Sequence, residues 1–177
     1  RMGHITLTVP VVHIWYFKSL PNKIAYLLGM SSKNLEKIVY YETFVVINPG
    51  VARDLGYAQG DMISEEEKWD ILEQLPEDNQ ELDDDDDDKF IVKEGADALE
   101  ALLADQDLDD LAYNLRYEVK HETSQMRKKK KLKRLQVIES FRAANKHTEN
   151  RPEWMVQSVI PVIPPELRPL VPLEGGR

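Results

Sequence analysis

The 177-residue chain contains no cysteine. Disulfides and thiolate zinc sites are thereby excluded, and a metal could be held only by histidine or carboxylate. No run approaches the roughly 18 uncharged apolar residues that a bilayer-spanning helix needs, and Arg1-Met2-Gly3-His4 lacks the basic-then-apolar layout of a secretory leader. A cytoplasmic protein without a membrane partner is expected. Glycine is scarce and forms no phosphate-cradling loop, and no serine or histidine stands in a nucleophile-elbow or triad-like setting. Nothing reads as an active site, and no repeat at a solenoid period appears.

What is present suits one soluble domain, since 42% hydrophobic and 31% charged residues can supply a core and a solvated surface. The formal charge of −9 hides an asymmetry: residues 61–110 hold 22 Asp and Glu against three Lys, a net of −19, which leaves +10 on the other 127 residues. An acidic insert sits in a basic frame, and a frame of that sign is compatible with contact to phosphates.

Alternation of Ile5, Leu7 and Val9 predicts a strand over 4–10 stopped by Pro10. "HIWYFKS" reads as a short helix, and a second helix is expected with Ser19 as cap, Pro21 early and Gly29 at its end. Ser31 or Ser32 caps a third helix, with Leu35, Ile38 and Val39 on one face, and "TFVVINPG" reads as a strand ending in an Asn-Pro-Gly turn. In the acidic part, Ser64-x-x-Glu67 is a capping box ahead of Trp69, Ile71, Leu72 and Leu75. Asp83 to Asp88 repel one another and are read as a solvated loop. Three apolar stripes follow: Ala96, Leu99, Leu102 and Leu103; Leu108, Leu111, Leu115 and Val119; Leu132, Leu135, Ile138 and Phe141. Their spacings of three and four predict helices; at "KHETSQ" two of them can fold back or simply continue, and an antiparallel pair is the expected arrangement. A strand returns near Met155 and Val159, and Pro161, Pro164 and Pro165 confine it to an edge. The fold class is α+β, mostly helical, with short strands from the two ends of the chain packed with helices, plus a long helical pair.

Three stretches invite chemistry. His4 and His13 lie nine residues apart with no ligand pair at metal-site spacing, so capping or packing roles compete with a metal role. Asp83, Asp85, Asp87 and Glu94 fall at calcium-loop positions 1, 3, 5 and 12, but position 6 is Asp88, where the sharp turn requires glycine. The same run followed by Lys89 resembles a protease-cleavable tag, yet lies mid-chain. "RKKKKLKR" supplies Arg127, Lys128, Lys129, Lys130, Lys131, Lys133 and Arg134, which circle a helix nearly twice and form no single stripe. A solvated helical tip and a contact to phosphate or to an acidic partner are both open, and the lack of an interleaved aromatic argues against base stacking.

"MGHI", "VPVVHIWYFKSLPNKIAYLLG", "YYETFVVINPG" and "RPEWMVQSVIPVIPPELRPLVPLEGGR" together resemble the N-terminal clamp region of the beta-prime subunit of bacterial DNA-directed RNA polymerase, in colinear order over 2–50 and 93–177. The resemblance implies a clamp core from 1–50 and 145–177, with the start of a lid loop at 166–177, a lineage-variable acidic insert at 51–92 and a helical pair at 93–144. It implies a nucleoid-associated piece of a nucleotidyltransferase, with the remainder of beta-prime, the beta, alpha and omega subunits, template DNA and nascent RNA as partners. Sigma is left as a doubtful partner, because the coiled coil that binds it follows the lid. Zinc and catalytic magnesium belong to segments before "MGHI" and far beyond "GGR", so no cofactor and no catalytic residue is expected in this segment, which should not polymerise RNA alone.

The lid helps part transcript from template, and the residues here supply a means. Pro169 and Pro172 stiffen the backbone and lack donors, Leu170, Val171 and Leu173 offer an apolar surface, Arg168 and Arg177 can meet phosphates, and Gly175 and Gly176 allow a reversal. A stand-alone interaction module, with its acidic insert mimicking nucleic acid or shielding the surface, is the alternative.

Overall fold

The computed structural model describes residues 2–76 and 78–171. Its chain-end strands, β1 (Gly3–Val12) and β5 (Val156–Val162), form a two-stranded antiparallel ribbon with Gly3 opposite Val162 and Val12 opposite Val156. Pro10 does not end β1. Between the paired positions Thr6–Val159 and Val11–Gln157, β1 carries four residues and β5 one, so Pro10 falls in a bulged stretch where its missing N–H breaks no ladder bond.

Three short helices follow, α1 (Ile14–Phe17), α2 (Lys23–Leu28) and α3 (Ser32–Val39). His13 caps α1, its Nδ1 accepting from Trp15 N at 3.1 Å. The cap of α2 is Asn22 and not Ser19. The buried Asn22 accepts from Ala25 N through Oδ1 and donates through Nδ2 to Phe17 O at 2.7 Å, serving two backbone groups where a serine could serve one. Gly29 closes α2 in the left-handed conformation. Ser31 caps α3.

A second sheet has the order β3 (Met62–Ile63), β2 (Phe44–Asn48), β4 (Ile91–Glu94). Between its outer strands lies α4 (Glu65–Gln74), with the full Ser64–Glu67 capping box. Val46, Ala52, Ile63, Ile71 and Phe90 form a small core here, so the acidic stretch builds its own packed unit on the back of β2. The main core gathers α1 to α3, Val45, α5 (Gly95–Ala104), α6 (Leu108–His121), Ile138 of α7 (Gln125–Thr148) and the start of β5. Ala96, Leu99, Leu102 and Leu103 are all buried, each large side chain contributing about 1.5–3 kcal/mol.

Helices α6 and α7 pair antiparallel, as successive contacts Asp109–Arg142, Arg116–Glu139, Glu118–Lys131 and Glu122–Arg127 show. The stripe on α7 is shifted from the expected one. Val137 and Ile138 are buried, whereas Leu132 is exposed.

No helix or strand forms over 83–88, yet the main chain there is fastened. Asn48 Nδ2 donates to Asp86 O, Asn79 Nδ2 to Asp88 O at 2.8 Å, and Phe90 N to Asn79 Oδ1. Asp86 Oδ1 accepts from Asp88 N within the loop while the other five aspartates are exposed, and Lys89 folds back onto Leu82 O and Asp84, whose carboxyl it holds below the usual carboxylate range. With Lys89 engaged and Phe90 buried, the Lys89–Phe90 bond cannot extend into a protease. Trypsin is expected to cut it at least about a hundredfold more slowly in the native protein than in urea, read by fragment masses. Cleavage at equal rates would show the loop to be undocked.

Candidate nucleic-acid interface

The seven cations of 127–134 sit on the first turns of α7, beyond a reversal in which Ser124 N donates to Glu122 Oε1. At about 100° per residue they fan out to different surfaces. Arg127 and Lys131 turn to α6: Arg127 Nε lies 3.2 Å from Glu122, and Lys131 Nζ lies 3.1 Å from both Glu118 and Glu122. The hydrogen bond from Lys131 holds the Glu122 carboxyl below its usual range, and Glu122 in turn holds the Lys131 ammonium above its own.

Arg134 turns to α2. Its Nε donates to Tyr26 O at 2.7 Å and its Nη2 to Leu27 O at 3.2 Å, both carbonyls in the last turn of α2. Burial pulls this guanidinium below its usual pKa, and among the described residues no carboxylate pairs with it. Lys130 and Lys133 line the cleft between α7 and α2, and Lys129 faces solvent. Among the described residues Lys128, Lys129, Lys130 and Lys133 make no ion pair. The local sequence does not reveal this division, because it depends on where α6 and α2 lie. Its one signal is the spacing of Lys130, Arg134, Val137 and Phe141, which is i, i+4, i+7, i+11 and marks a single face.

Past β5 the chain turns through a 3-10 segment at Pro165–Leu167, closed by Arg168 Nε donating to Ile163 O at 3.0 Å. Leu167 is 74% exposed, Leu170 100% and Val171 79%. Arg168, Pro169, Leu170 and Val171 thus follow one another on an exposed, proline-flanked backbone. Pro172, Leu173, Gly175, Gly176 and Arg177 lie outside the described residues.

His4 is exposed on β1 opposite Pro161, while His13 is the α1 cap. Among the described residues no group of three or more His, Asp or Glu side chains is arranged to hold a metal, the aspartate loop included. No helix among them is long and apolar enough to cross a membrane.

Over residues 1–177 the sequence matches the family described as RNA polymerase Rpb1, domain 1. It is 60% identical over 177 residues to DNA-directed RNA polymerase subunit beta' of Salinibacter ruber and to that of Bacteroides thetaiotaomicron. It is 57% identical over 183 residues to that of Flavobacterium psychrophilum. Each alignment takes in all of this chain, residues 51–92 included, and 12% of the relative's length. The chain, spanning about 12% of the length of these curated relatives, therefore belongs to the RNA polymerase Rpb1 domain 1 family.

Proposed function

We propose that the segment is a structural part of the clamp of a bacterial DNA-directed RNA polymerase, helping to enclose DNA and the RNA–DNA hybrid, and that its tail begins the lid that parts RNA from template. The remainder of beta-prime, the beta, alpha and omega subunits, template DNA and nascent RNA are its partners, and sigma contact is assigned outside it. Catalysis, with its magnesium, and the structural zinc are assigned to other segments of the complete subunit. The chain's own residues fit neither metal: it has no cysteine and, among the described residues, no cluster of metal-binding side chains.

The observation that carries the lid reading is the exposure of Leu170 and Val171 on a chain leaving the end of the β1–β5 ribbon. Apolar side chains so placed cost hydration unless something covers them. Base-pair ends and unstacked bases are such a cover, and a backbone interrupted by Pro164, Pro165 and Pro169 has few donors to hold either strand. Lys128 and Lys129 add cations suited to phosphate oxygens.

In a complete polymerase, replacing Leu170, Val171 and Leu173 by serine is expected to lengthen the RNA–DNA hybrid or slow RNA displacement. Footprinting of the hybrid measures this, and an unchanged length would remove the wedge role.

A further inference from the structure

In a chain with 31% charged residues, neither strand of the β1–β5 ribbon holds a single Lys, Arg, Asp or Glu. The inner end of the ribbon, at Val12 and Val156, joins the main core. At its outer end Gly3, Ile5, Ile160 and Val162 share one face, and Ile5 is 55% exposed. A two-stranded ribbon is marginal in water by itself. Its two edges differ. His4 pairs with Pro161, which has no N–H, so these two residues cannot exchange hydrogen bonds and form one of the open pairs that alternate with bonded ones. The bonded pairs are then Gly3–Val162 and Ile5–Ile160, and the peptide groups of His4 and Thr6 point outward from β1, those of Val159 and Pro161 outward from β5. The β5 edge lacks a donor at Pro161, with Pro164 and Pro165 following, whereas β1 has no proline before Pro10. Charge, proline and a bulge are the usual guards of an exposed edge, and Gly3–Thr6 has none of them, the bulged stretch beginning only after Thr6. Among the described residues no strand lies beyond β1.

We infer that the outer edge of β1 over Gly3–Thr6 receives a further strand, supplied by the same subunit from outside residues 1–177, with apolar side chains set beside Ile5. The backbone groups of His4 and Thr6 then bond to the added strand, and the ribbon becomes a three-stranded sheet. Cross-strand neighbours on the Ile5 face remove that side chain from water. The subunit itself is the source for two reasons. The chain spans about 12% of the length of its relatives, so the greater part of such a subunit lies outside it, and covalent attachment gives its strands an effective concentration that a free protein would have to match. An uncharged, unguarded edge also suits a permanent neighbour, since one exposed at intervals invites aggregation. Nucleic acid is the poorer fit, because the ribbon carries no cation for a phosphate. This strand site presupposes that the segment is part of the polymerase subunit, and it is independent of the lid, which concerns residues beyond β5.

The test is residue-resolved hydrogen exchange on the complete polymerase, in a preparation that elongates RNA, so that the polymerase reading stands whichever way exchange falls. The amides of His4 and Thr6 are expected to exchange at least about a hundredfold more slowly than the amide of Val159, which points outward from the proline-guarded edge. Exchange at His4 and Thr6 no slower than at Val159 overturns the inference. Thr6→Pro removes one outward donor without touching a β1–β5 bond, and should speed exchange at His4 about tenfold. An unchanged rate at His4 in that variant also overturns it. To identify the source of the strand, photoreactive p-benzoylphenylalanine is placed at position 4 and its cross-links are mapped by mass spectrometry. They are expected in the same subunit, outside residues 1–177. Cross-links to another subunit or to nucleic acid overturn the assignment.

Discussion

Gly50→Ala is expected to undock the aspartate loop, speeding amide exchange at Val51 about a hundredfold or more, equivalent to about 3 kcal/mol. Gly50 follows Asn48 and Pro49 at φ +50°, in the left-handed region that alanine enters only at a cost of about 1 kcal/mol. Conformation is the smaller part of the effect. A Cβ on Gly50 would stand 2.6 Å from both the carbonyl carbon and oxygen of Lys89, and closer still to Asp88 O. Those atoms are backbone, fixed by Asn79 and by Val51 N donating to Asp88 O at 3.1 Å, and they cannot swing aside as a side chain would. Gly60 supplies the control. It has φ +86° with nothing within 4 Å of its would-be Cβ, so Gly60→Ala should carry the conformational cost alone and speed local exchange about tenfold or less. Hydrogen exchange on the two variants separates the contributions. Equal effects would show that close approach to the loop is not what requires glycine at position 50.

That turn also shows what kind of feature the sequence discloses. Asn-Pro-Gly is legible because turn chemistry is local, and the same holds for the Ser64–Glu67 capping box, the Ser31 cap and the apolar stripe of α5. What the turn docks against is not legible, because residues 84–89 are brought to it by Asn48 and Asn79 from outside the run. A row of aspartates seen alone suggests only repulsion. The cap of α2 is not legible for a related reason. Ser19 and Asn22 are both good cap residues, and the choice falls to Asn22 because Phe17 O, five residues earlier, also needs a donor. Pro10 reads as a strand stop only while pairing is assumed to be continuous; the register shift against β5 is a property of two distant strands. The second core has no signature in the sequence, because Val46, Ala52, Ile63, Ile71 and Phe90 come from different kinds of element and share no period.

The candidate interface follows the same pattern. Composition shows that 127–134 is basic, and helical geometry shows that the charge cannot all face one way. Only the positions of α6 and α2 divide it into cations paired with Glu118 and Glu122, one that caps a helix, and those with no ion pair among the described residues. A count of seven cations therefore overstates the charge offered to any partner. In the tail, proline spacing and apolar residues are local features that the sequence displays directly, and Leu170 is fully exposed.

The capping cation sets up the other large effect. Arg134→Met, which keeps much of the alkyl bulk and removes the guanidinium, is expected to loosen α7 from α2 by about 2 kcal/mol. Amide exchange over 23–30 should quicken about thirtyfold. Tyr26 O and Leu27 O belong to the last turn of α2, where carbonyls have no partner within the helix and the helix dipole is negative, so a cation there gains both hydrogen bonds and charge stabilisation. The site is half-buried, and water would replace the two donors only in part. Arg134→Lys separates these contributions. An ammonium restores the charge, but a single nitrogen on a flexible stem does not reproduce the planar Nε and Nη2 fork that meets two successive carbonyls, so it should recover less than half of the lost protection. Hydrogen-exchange mass spectrometry of the complete polymerase, comparing peptides from 23–30 and 125–148 with those from α4, resolves the change. If Met and Lys variants protect 23–30 as well as the parent does, Arg134 is not what joins the helical pair to the core. That junction would then rest on apolar packing, by Leu108, Ala112 and Leu115 of α6 and Ile138 and Phe141 of α7.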